Sequence, residues 1–244
     1  MNLTVTKRNG QLEERNIDKF HKMIEWACEG LSNVSVSEIE MNASIQFIDK
    51  IKTSDMHKIT IKSASDLISV RNPNYQYVAS RLLLMELRKE VFGQFEPLSL
   101  NEIIQRNIKL NYYENIYEFY TKEEIDILDS HIKHNKDFTF TYCGLRTIID
   151  KYTVQDRINN KLLESPQQLM MLVSAVLFKN EKEDRLNQVV SYYEDLSDFK
   201  ISLPSPIMSG LRTPIKGYSS CCLIDNGDTK ESLTAGNSAS VIMT

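Results

Sequence analysis

The chain has 244 residues, of which 41% are hydrophobic and 25% are charged, a composition typical of one large globular domain or two small ones. Its formal net charge of −4 argues against a broad nucleic-acid-binding face. The four cysteines, at positions 28, 143, 221 and 222, lack the spacing of a disulfide framework or a zinc site, so we expect a reducing, cytoplasmic setting.

The apolar patterning gives no sign of membrane insertion. The N-terminus, MNLTVTKRNG, lacks the apolar core of a signal peptide. The longest apolar run, LMMLVSAVLF (169–178), is too short to cross a bilayer. It predicts a buried helix, and we expect no membrane partner.

The first 15 residues predict a β-hairpin. LTVTKRNGQLEER alternates in polarity around Asn9-Gly10, a dipeptide that suits a two-residue type I′ turn. A hairpin is not stable alone, so a helical layer should cover it.

Four helices follow the hairpin. The first should begin at Asn16 or Asp18 and end near Gly30, and the second should begin at Ser35 or Ser37. The third should begin at Thr53 or Ser54, and the fourth, YQYVASRLLLMELRKEVF, should end at Gly93. Residues 1–93 therefore predict a compact four-helix module with a β-hairpin cap.

The pattern remains helical over residues 94–214. Thr121 with Glu124 predicts a capping box, and Ser165 with Gln168 predicts another that opens the buried helix 166–179. NQVVSYYEDLSDF should continue as a helix to about residue 199.

The sequence pattern changes after residue 200. ISLPSPIMSGLRTPIKGYSSCCLIDNGD contains three prolines and little helical periodicity, and GYSSCCLI favours a strand before a turn at 225–228. KESLTAGNSASVIMT predicts a final helix. A strand followed by an interrupted helix is a poor ending for a domain, so the sequence looks cut inside a second domain.

Two groups of residues could carry chemistry. Cations beside helix starts can bind a triphosphate, and an acid and an amide nearby could bind ribose or base, although each residue alone is more simply a solvated surface group. The group comprises Lys7, Arg8, Glu13, Asn16, Lys19, Thr53, His57 and Lys89. The second group is Ser205, Ser219, Ser220 and Cys221.

The sequence also contains one pair of adjacent cysteines and one pair of closely spaced histidines. Cys221 and Cys222 should point to opposite faces of a strand, so we do not expect them to pair with each other. His131 and His134 have a spacing that could place two imidazoles on one helical face, but no acid or cysteine set completes a metal site. A solvated face is the simpler interpretation, and we predict no metal site.

Several motifs resemble the large subunit of class I ribonucleotide reductases. VTKRNG, IQFIDKIKTSDMHKITIKSASDLIS and YQYVASRLLLMELRKEVFGQFEP resemble its ATP-cone and the stretch that continues it. The similarity runs on through KDFTF, KYTVQDR, ESPQQL and FKISLPSPIMSGLRTP to the last residues. An ATP-cone alone occurs in several proteins, whereas FKISLPSPIMSGLRTP with the SSC that follows is specific to the reductase.

The resemblance implies a mainly α fold in three parts: an ATP-cone over 1–93, a helical domain over 94–214, and over 215–244 the first strand of a ten-stranded α/β barrel. The cone would bind ATP as activator and dATP as inhibitor, with Mg²⁺. Its site residues would be Val5, Lys7, Arg8, Glu13, Asn16, Lys19, Thr53, His57 and Lys89, with Phe20 packing against the base.

The same resemblance implies an active-site role for the second group. Cys221 would be one of two thiols that reduce the 2′-carbon of a ribonucleoside diphosphate and become a disulfide, which thioredoxin or glutaredoxin reduces. Ser205 and Ser220 would bind the substrate, and Cys222 would be a buried apolar residue. Asp228 would belong to a specificity site that reads an effector nucleotide at a dimer interface, or it would cap the next helix.

The radical cysteine and the second redox thiol of the family fall after residue 244. We therefore expect this chain alone to be inactive and to need a second polypeptide that carries the rest of the large subunit, plus a small metal-containing subunit that generates the radical. A split subunit and a truncation both fit. The alternatives are a non-enzymatic ATP-cone sensor, which has no need of a substrate loop, and a purely helical interaction protein, which does not account for the combined motifs.

Overall fold

The computed structural model describes residues 4–219, 221 and 223–243 and confirms a mainly helical fold with a β-hairpin at its start. Strand β1 (Thr4–Thr6) pairs antiparallel with β2 (Leu12–Glu14) and parallel with a third strand, β3 (Ile51–Lys52). Val5 lies opposite Glu13 on one side and Ile51 on the other. The third strand, which we did not predict, helps to bury Val5.

The hairpin turn differs from the prediction. The Lys7 N–H donates to the Gln11 carbonyl at 2.8 Å, which closes a three-residue loop over 8–10 in place of a two-residue type I′ turn. Gly10 has a φ of 84°, while the Asn9 side chain accepts a hydrogen bond from the Gln11 N–H at 3.1 Å. Asn9-Gly10 marks the turn, but the side chain of Asn9 stabilises the longer loop that Gly10 completes.

Four helices cover the small sheet, as predicted. Asn16 caps the first and Ser35 the second, each by accepting a hydrogen bond from a backbone N–H of the first turn. The third helix begins at Thr53 with no side-chain cap. The bounds are α1 Ile17–Cys28, α2 Val36–Ser44, α3 Thr53–Asp66 and α4 Tyr75–Phe92.

Gly93 ends α4 in the left-handed conformation, with a φ of 73°. A Cβ atom placed there would meet no other atom within 4 Å, so only the backbone conformation disfavours a side chain. We expect Gly93→Ala to lower the free energy of unfolding by about 1 kcal/mol. Chemical denaturation would measure this loss, and Gly93→Asn should lose less because asparagine tolerates this conformation. Equal losses in the two variants would contradict this explanation.

The middle of the chain is helical, as predicted. Thr121 and Glu124 form the expected capping box. Helix α8 is buried around most of its circumference, as its apolar sequence predicts. The bounds are α5 Leu100–Lys109, α6 Lys122–Ser130, α7 Tyr142–Lys151, α8 Pro166–Leu177 and α9 Arg185–Ser197, with 3-10 helices at Ile116–Glu118 and His134–Thr139 and a small hairpin of β4 (Gln155–Asp156) and β5 (Lys161–Leu162).

The start of α8 corrects one predicted cap. Pro166 occupies the first helical position as expected, but the Ser165 hydroxyl donates to the Gln168 side-chain oxygen at 3.2 Å and does not cap a backbone N–H. The Gln168 amide in turn donates to the Leu98 carbonyl at 2.9 Å. Both side chains are fully buried, so this tertiary contact replaces the local capping box.

A buried arginine joins α4 to the following helices. Arg88 donates to the His134 carbonyl at 3.0 Å and lies 3.4 Å from an Asp137 oxygen. Its guanidinium sits over the rings of Phe95 and Phe138, at 5.1 and 5.3 Å. Trp26 packs edge-on against both rings. Helix α4 therefore packs against α1 and α3 on one side and against α7 and the second 3-10 helix on the other.

The last 40 residues hold two helices, α10 (Ser205–Gly210), which we did not predict, and α11 (Lys230–Met243), which we did. The predicted barrel strand is absent from the described residues between 215 and 228. A barrel strand takes its hydrogen bonds from neighbouring strands, and nothing in the described ranges provides one there. Over the same ranges, no helix combines the length and apolarity that a bilayer crossing requires. The two boundaries between the three predicted domains remain a prediction.

Candidate functional site

A cavity of about 230 Å³ opens between the hairpin and helices α1, α3 and α4. It brings together seven of the nine residues predicted for the nucleotide site. These are Val5, Glu13, Asn16, Lys19, Thr53, His57 and Lys89. The other two, Lys7 and Arg8, lie where strand β1 ends and the hairpin loop begins, and each forms an ion pair.

Two helix N-termini face this cavity. Asn16 caps α1 through its side-chain oxygen, which accepts from the Lys19 N–H at 2.8 Å, and Thr53 is the first residue of α3. The partial positive charge of a helix start and its free N–H groups favour an anion. The backbone therefore contributes to an anion site before any side-chain charge is considered.

His57 contributes a neutral ring to the cavity. It is 5% exposed, and its Nε2 lies 2.8 Å from the Leu82 carbonyl, which fixes that nitrogen as the donor. Burial, with the nearby Lys89 and Arg8 charges, lowers the pKa of His57 to about 4. The ring can accept a hydrogen bond through Nδ1, as from a sugar hydroxyl, but it supplies no charge for a phosphate.

The four predicted cations around the cavity fall into two classes. Lys7 pairs with Glu13 and Arg8 pairs with Glu86, both at 2.6 Å. Lys19 and Lys89 form no ion pair with any carboxylate in the described ranges. Burial, followed by repulsion from Arg8, lowers the pKa of Lys89, which is the expected behaviour of a half-buried ammonium without a contacting counterion.

Sequence reasoning missed several residues of this site. Met85 shares the i, i+4 face of Lys89 on α4, and Met56 lies one turn into α3, so helical spacing from the predicted residues could have indicated both. Phe20, which the resemblance had indicated, also lines the cavity; it is 9% exposed and packs edge-on against Phe47 at 5.4 Å. The further lining residues are Arg15 and Met23. Glu86, which does not line the cavity but pairs with Arg8 beside it, gave no signal, because the two residues are 78 positions apart.

The second predicted group lies on α10 and the segment after it. Ser205 is the first residue of α10, with its hydroxyl 3.5 Å from the Tyr152 hydroxyl. Cys221 is exposed, and the Ser219 hydroxyl lies 3.5 Å from its carbonyl. Ser220 and Cys222 lie outside the described residues, so the predicted opposite orientation of the two cysteines is not tested.

A buried ion pair between Arg212 and Glu164 lies next to the C-terminal end of α10. The Glu164 carboxylate receives the Arg212 guanidinium, the Tyr113 hydroxyl and the Val154 N–H, the last at 2.7 Å. Arg212 also donates to the carbonyls of Met208, at 2.6 Å, and Tyr152, at 2.8 Å. Burial and the Glu164 charge hold the pKa of Tyr113 well above its usual range, so the phenol stays a donor. The C-terminal end of α10 is thereby tied to Glu164 and Tyr152.

Two remaining predictions are corrected or reinterpreted. The helix cap at the start of α11 is Thr229, which accepts from the Ser232 N–H at 3.2 Å, so capping is not the role of the exposed Asp228. His131 ends α6 and lies 2.9 Å from the Ile127 carbonyl, whereas His134 is in the next 3-10 helix. The two histidines therefore belong to different helices and do not share one helical face.

Comparison with protein families identifies both parts of the fold. Residues 3–90 match the ATP cone domain, an effector-binding domain, and residues 138–216 match the ribonucleotide reductase all-alpha domain. The two matches therefore indicate an ATP cone domain followed by a ribonucleotide reductase all-alpha domain.

Comparison with individual proteins is more specific than the two domain matches. The chain is 49% identical to ribonucleoside-diphosphate reductase 1 subunit alpha of Salmonella typhimurium, 48% to that of Escherichia coli, and 39% to the subunit alpha of Enterobacteria phage T4. Each alignment covers 98% of this chain and 32% of the relative. The chain corresponds to the N-terminal part of ribonucleoside-diphosphate reductase alpha subunits and spans about a third of their length, which confirms the resemblance drawn from its motifs.

Proposed function

We propose that the cavity of the cone binds ATP and dATP as activating and inhibiting effectors of a ribonucleoside-diphosphate reductase. The observation that carries this proposal is the meeting of two helix N-termini with Lys19 and Lys89, two cations that have no contacting carboxylate in the described ranges. The neutral His57 and the Asn16 amide suit the ribose or base. Mg²⁺ would accompany the nucleotide, held mainly by phosphate oxygens and water, with Glu13 as the cavity's carboxylate.

We further propose that the chain forms the N-terminal part of the catalytic subunit. The remaining length of the relatives, on this or another polypeptide, would supply the radical cysteine and second redox thiol, and a small subunit with a metal centre would supply the radical. The substrate's 2′-hydroxyl would leave as water while Cys221 and its partner thiol lose two electrons and become a disulfide. Thioredoxin or glutaredoxin would then reduce that disulfide.

The other predicted residues take roles consistent with this scheme. Ser205 and Ser220 would bind the substrate diphosphate, and Asp228 would belong to a specificity site at the interface of a homodimer. The match of residues 138–216 to a reductase domain favours this enzyme over a sensor built on a cone alone. A reductase of this kind is expected in the cytoplasm.

Lys89→Ala provides the test of effector binding. A charge-assisted contact with phosphate contributes about 1.5–3 kcal/mol, so the variant should bind dATP at least about tenfold more weakly by titration calorimetry. Lys62→Ala is the matched control, because Lys62 pairs with Asp66 one turn along α3, does not line the cavity and should leave affinity unchanged. The proposal fails if the unmodified chain binds neither ATP nor dATP, or if Lys89→Ala and Lys62→Ala bind equally well.

A further inference from the structure

Glu86 lies next to the cavity, with its Oε2 atom 3.9 Å from Nδ1 of the lining residue His57, and neither the motifs nor the comparisons assign it a role. It lies on α4 between Met85, which lines the cavity, and Arg88, which faces the helical domain. Its side chain is 12% exposed. It lines a neighbouring cleft of about 390 Å³ between the cone and α7. A carboxylate with this little contact with water needs a cationic partner.

That partner is Arg8, from the loop of the hairpin. The Arg8 Nη2 atom lies 2.6 Å from the Glu86 Oε2 atom. The His57 Nδ1 atom is 3.9 Å from the same oxygen, but the low pKa of His57 leaves this ring uncharged, so it does not form a second ion pair. Glu86 also attracts Lys89, which lies three residues later on the helix. The carboxylate therefore counters two of the cations on which phosphate binding would depend.

An arginine guanidinium binds carboxylates and phosphates with the same donors. While Arg8 pairs with Glu86, the donor on Nη2 is already used, and the Glu86 charge repels any polyphosphate that approaches Lys89. We propose that Glu86 is an internal competitor of the effector's phosphates, which lowers the affinity of the cone and so sets the nucleotide concentration at which it responds. This inference rests on the proposed function and concerns the regulation of the same site.

Glu86→Gln separates the charge from the shape of the side chain. It should bind dATP about tenfold more tightly than the unmodified chain, measured by calorimetry at fixed Mg²⁺ and ionic strength. Glu90→Gln is the matched control, since it removes the same charge four residues along α4. Glu90 accepts the Leu162 N–H at 2.8 Å and forms no ion pair with a cation of the cavity in the described ranges. Its affinity should change by less than about twofold.

A double-mutant cycle tests the role of Arg8. If Glu86 acts by occupying this guanidinium, the gain from Glu86→Gln should shrink markedly in an Arg8→Ala background. The inference is overturned if the gain is unchanged there, or if Glu86→Gln binds dATP no more tightly than the unmodified chain. Weaker binding would also overturn it and would indicate instead that Glu86 helps to hold the nucleotide's Mg²⁺.

The two levels of the hypothesis fail differently. Absence of ATP and dATP binding in every variant would refute the proposed function, and the competitor role would fall with it. Normal dATP binding by the unmodified chain with no gain in Glu86→Gln would refute only the competitor role. Thermal unfolding of each variant would establish that the compared proteins are equally folded.

Discussion

Arg212→Met is expected to lower the free energy of unfolding by about 3–5 kcal/mol, because it leaves the Glu164 carboxylate buried without its counterion. Arg212 is 2% exposed and Glu164 is 0% exposed, so water cannot replace the lost contacts. The carbonyls of Met208 and Tyr152 would also lose a donor. Urea denaturation followed by circular dichroism would measure the loss.

An exposed arginine provides the control for this effect. Arg146 pairs with Asp150 one helical turn away, and both side chains are about half exposed. Arg146→Met should therefore cost no more than about 0.5 kcal/mol. Combining Arg212→Met with Glu164→Leu should restore part of the stability, since the double variant no longer buries an unpaired charge. Equal losses for Arg212 and Arg146 would show that the buried pair does not hold the domain together.

Under the proposed function, Cys221→Ser is expected to abolish multiple turnover when the chain acts together with the remaining length of the large subunit and with the small subunit. Serine keeps the shape of the side chain but cannot form a disulfide, so it cannot deliver reducing equivalents. Binding of dATP should persist, because the cone cavity does not include this residue. The assay is reduction of CDP with thioredoxin or dithiothreitol as reductant.

Cys143 offers a matched control for the loss of a thiol. It is also exposed, but it lies on α7 in the helical domain, so Cys143→Ser should keep full turnover. Mass-spectrometric mapping of oxidised thiols should find Cys221 in a disulfide after a single turnover. Turnover that survives in Cys221→Ser, and is lost in a variant of Cys222, would mean that the catalytic thiol was assigned one residue too early.

Local signals predicted most of the helices well. The caps at Asn16, Ser35 and Thr121 depend on side chains that reach only three residues along the chain, so the sequence alone contains the information. The same is true of the left-handed Gly93 at the end of α4. Ser165 shows the limit, because its bond with Gln168 depends on Leu98, about 70 residues away.

The candidate site shows the same contrast between features that local motifs indicate and features that depend on tertiary contacts. Family motifs indicated the residues that line the cavity, and the folded chain brings most of them together. They could not indicate which cations are neutralised, because this depends on pairs such as Arg8 with Glu86 that are distant in sequence. Glu164 and Arg212 lay within quoted motifs, but their pairing across 48 residues is a tertiary contact without a local pattern.

The aromatic cage around Arg88 limits how this protein can be divided or recombined. A cut after Gly93 would remove Phe95, Phe138 and the His134 carbonyl, leaving the arginine and one edge of Trp26 facing solvent on the excised half. A chimaera that exchanges the cone between related subunits should therefore carry the partner residues through about 139 together with it. Exchange at the predicted boundary after residue 93 would instead leave an exposed apolar surface on both products, which favours aggregation.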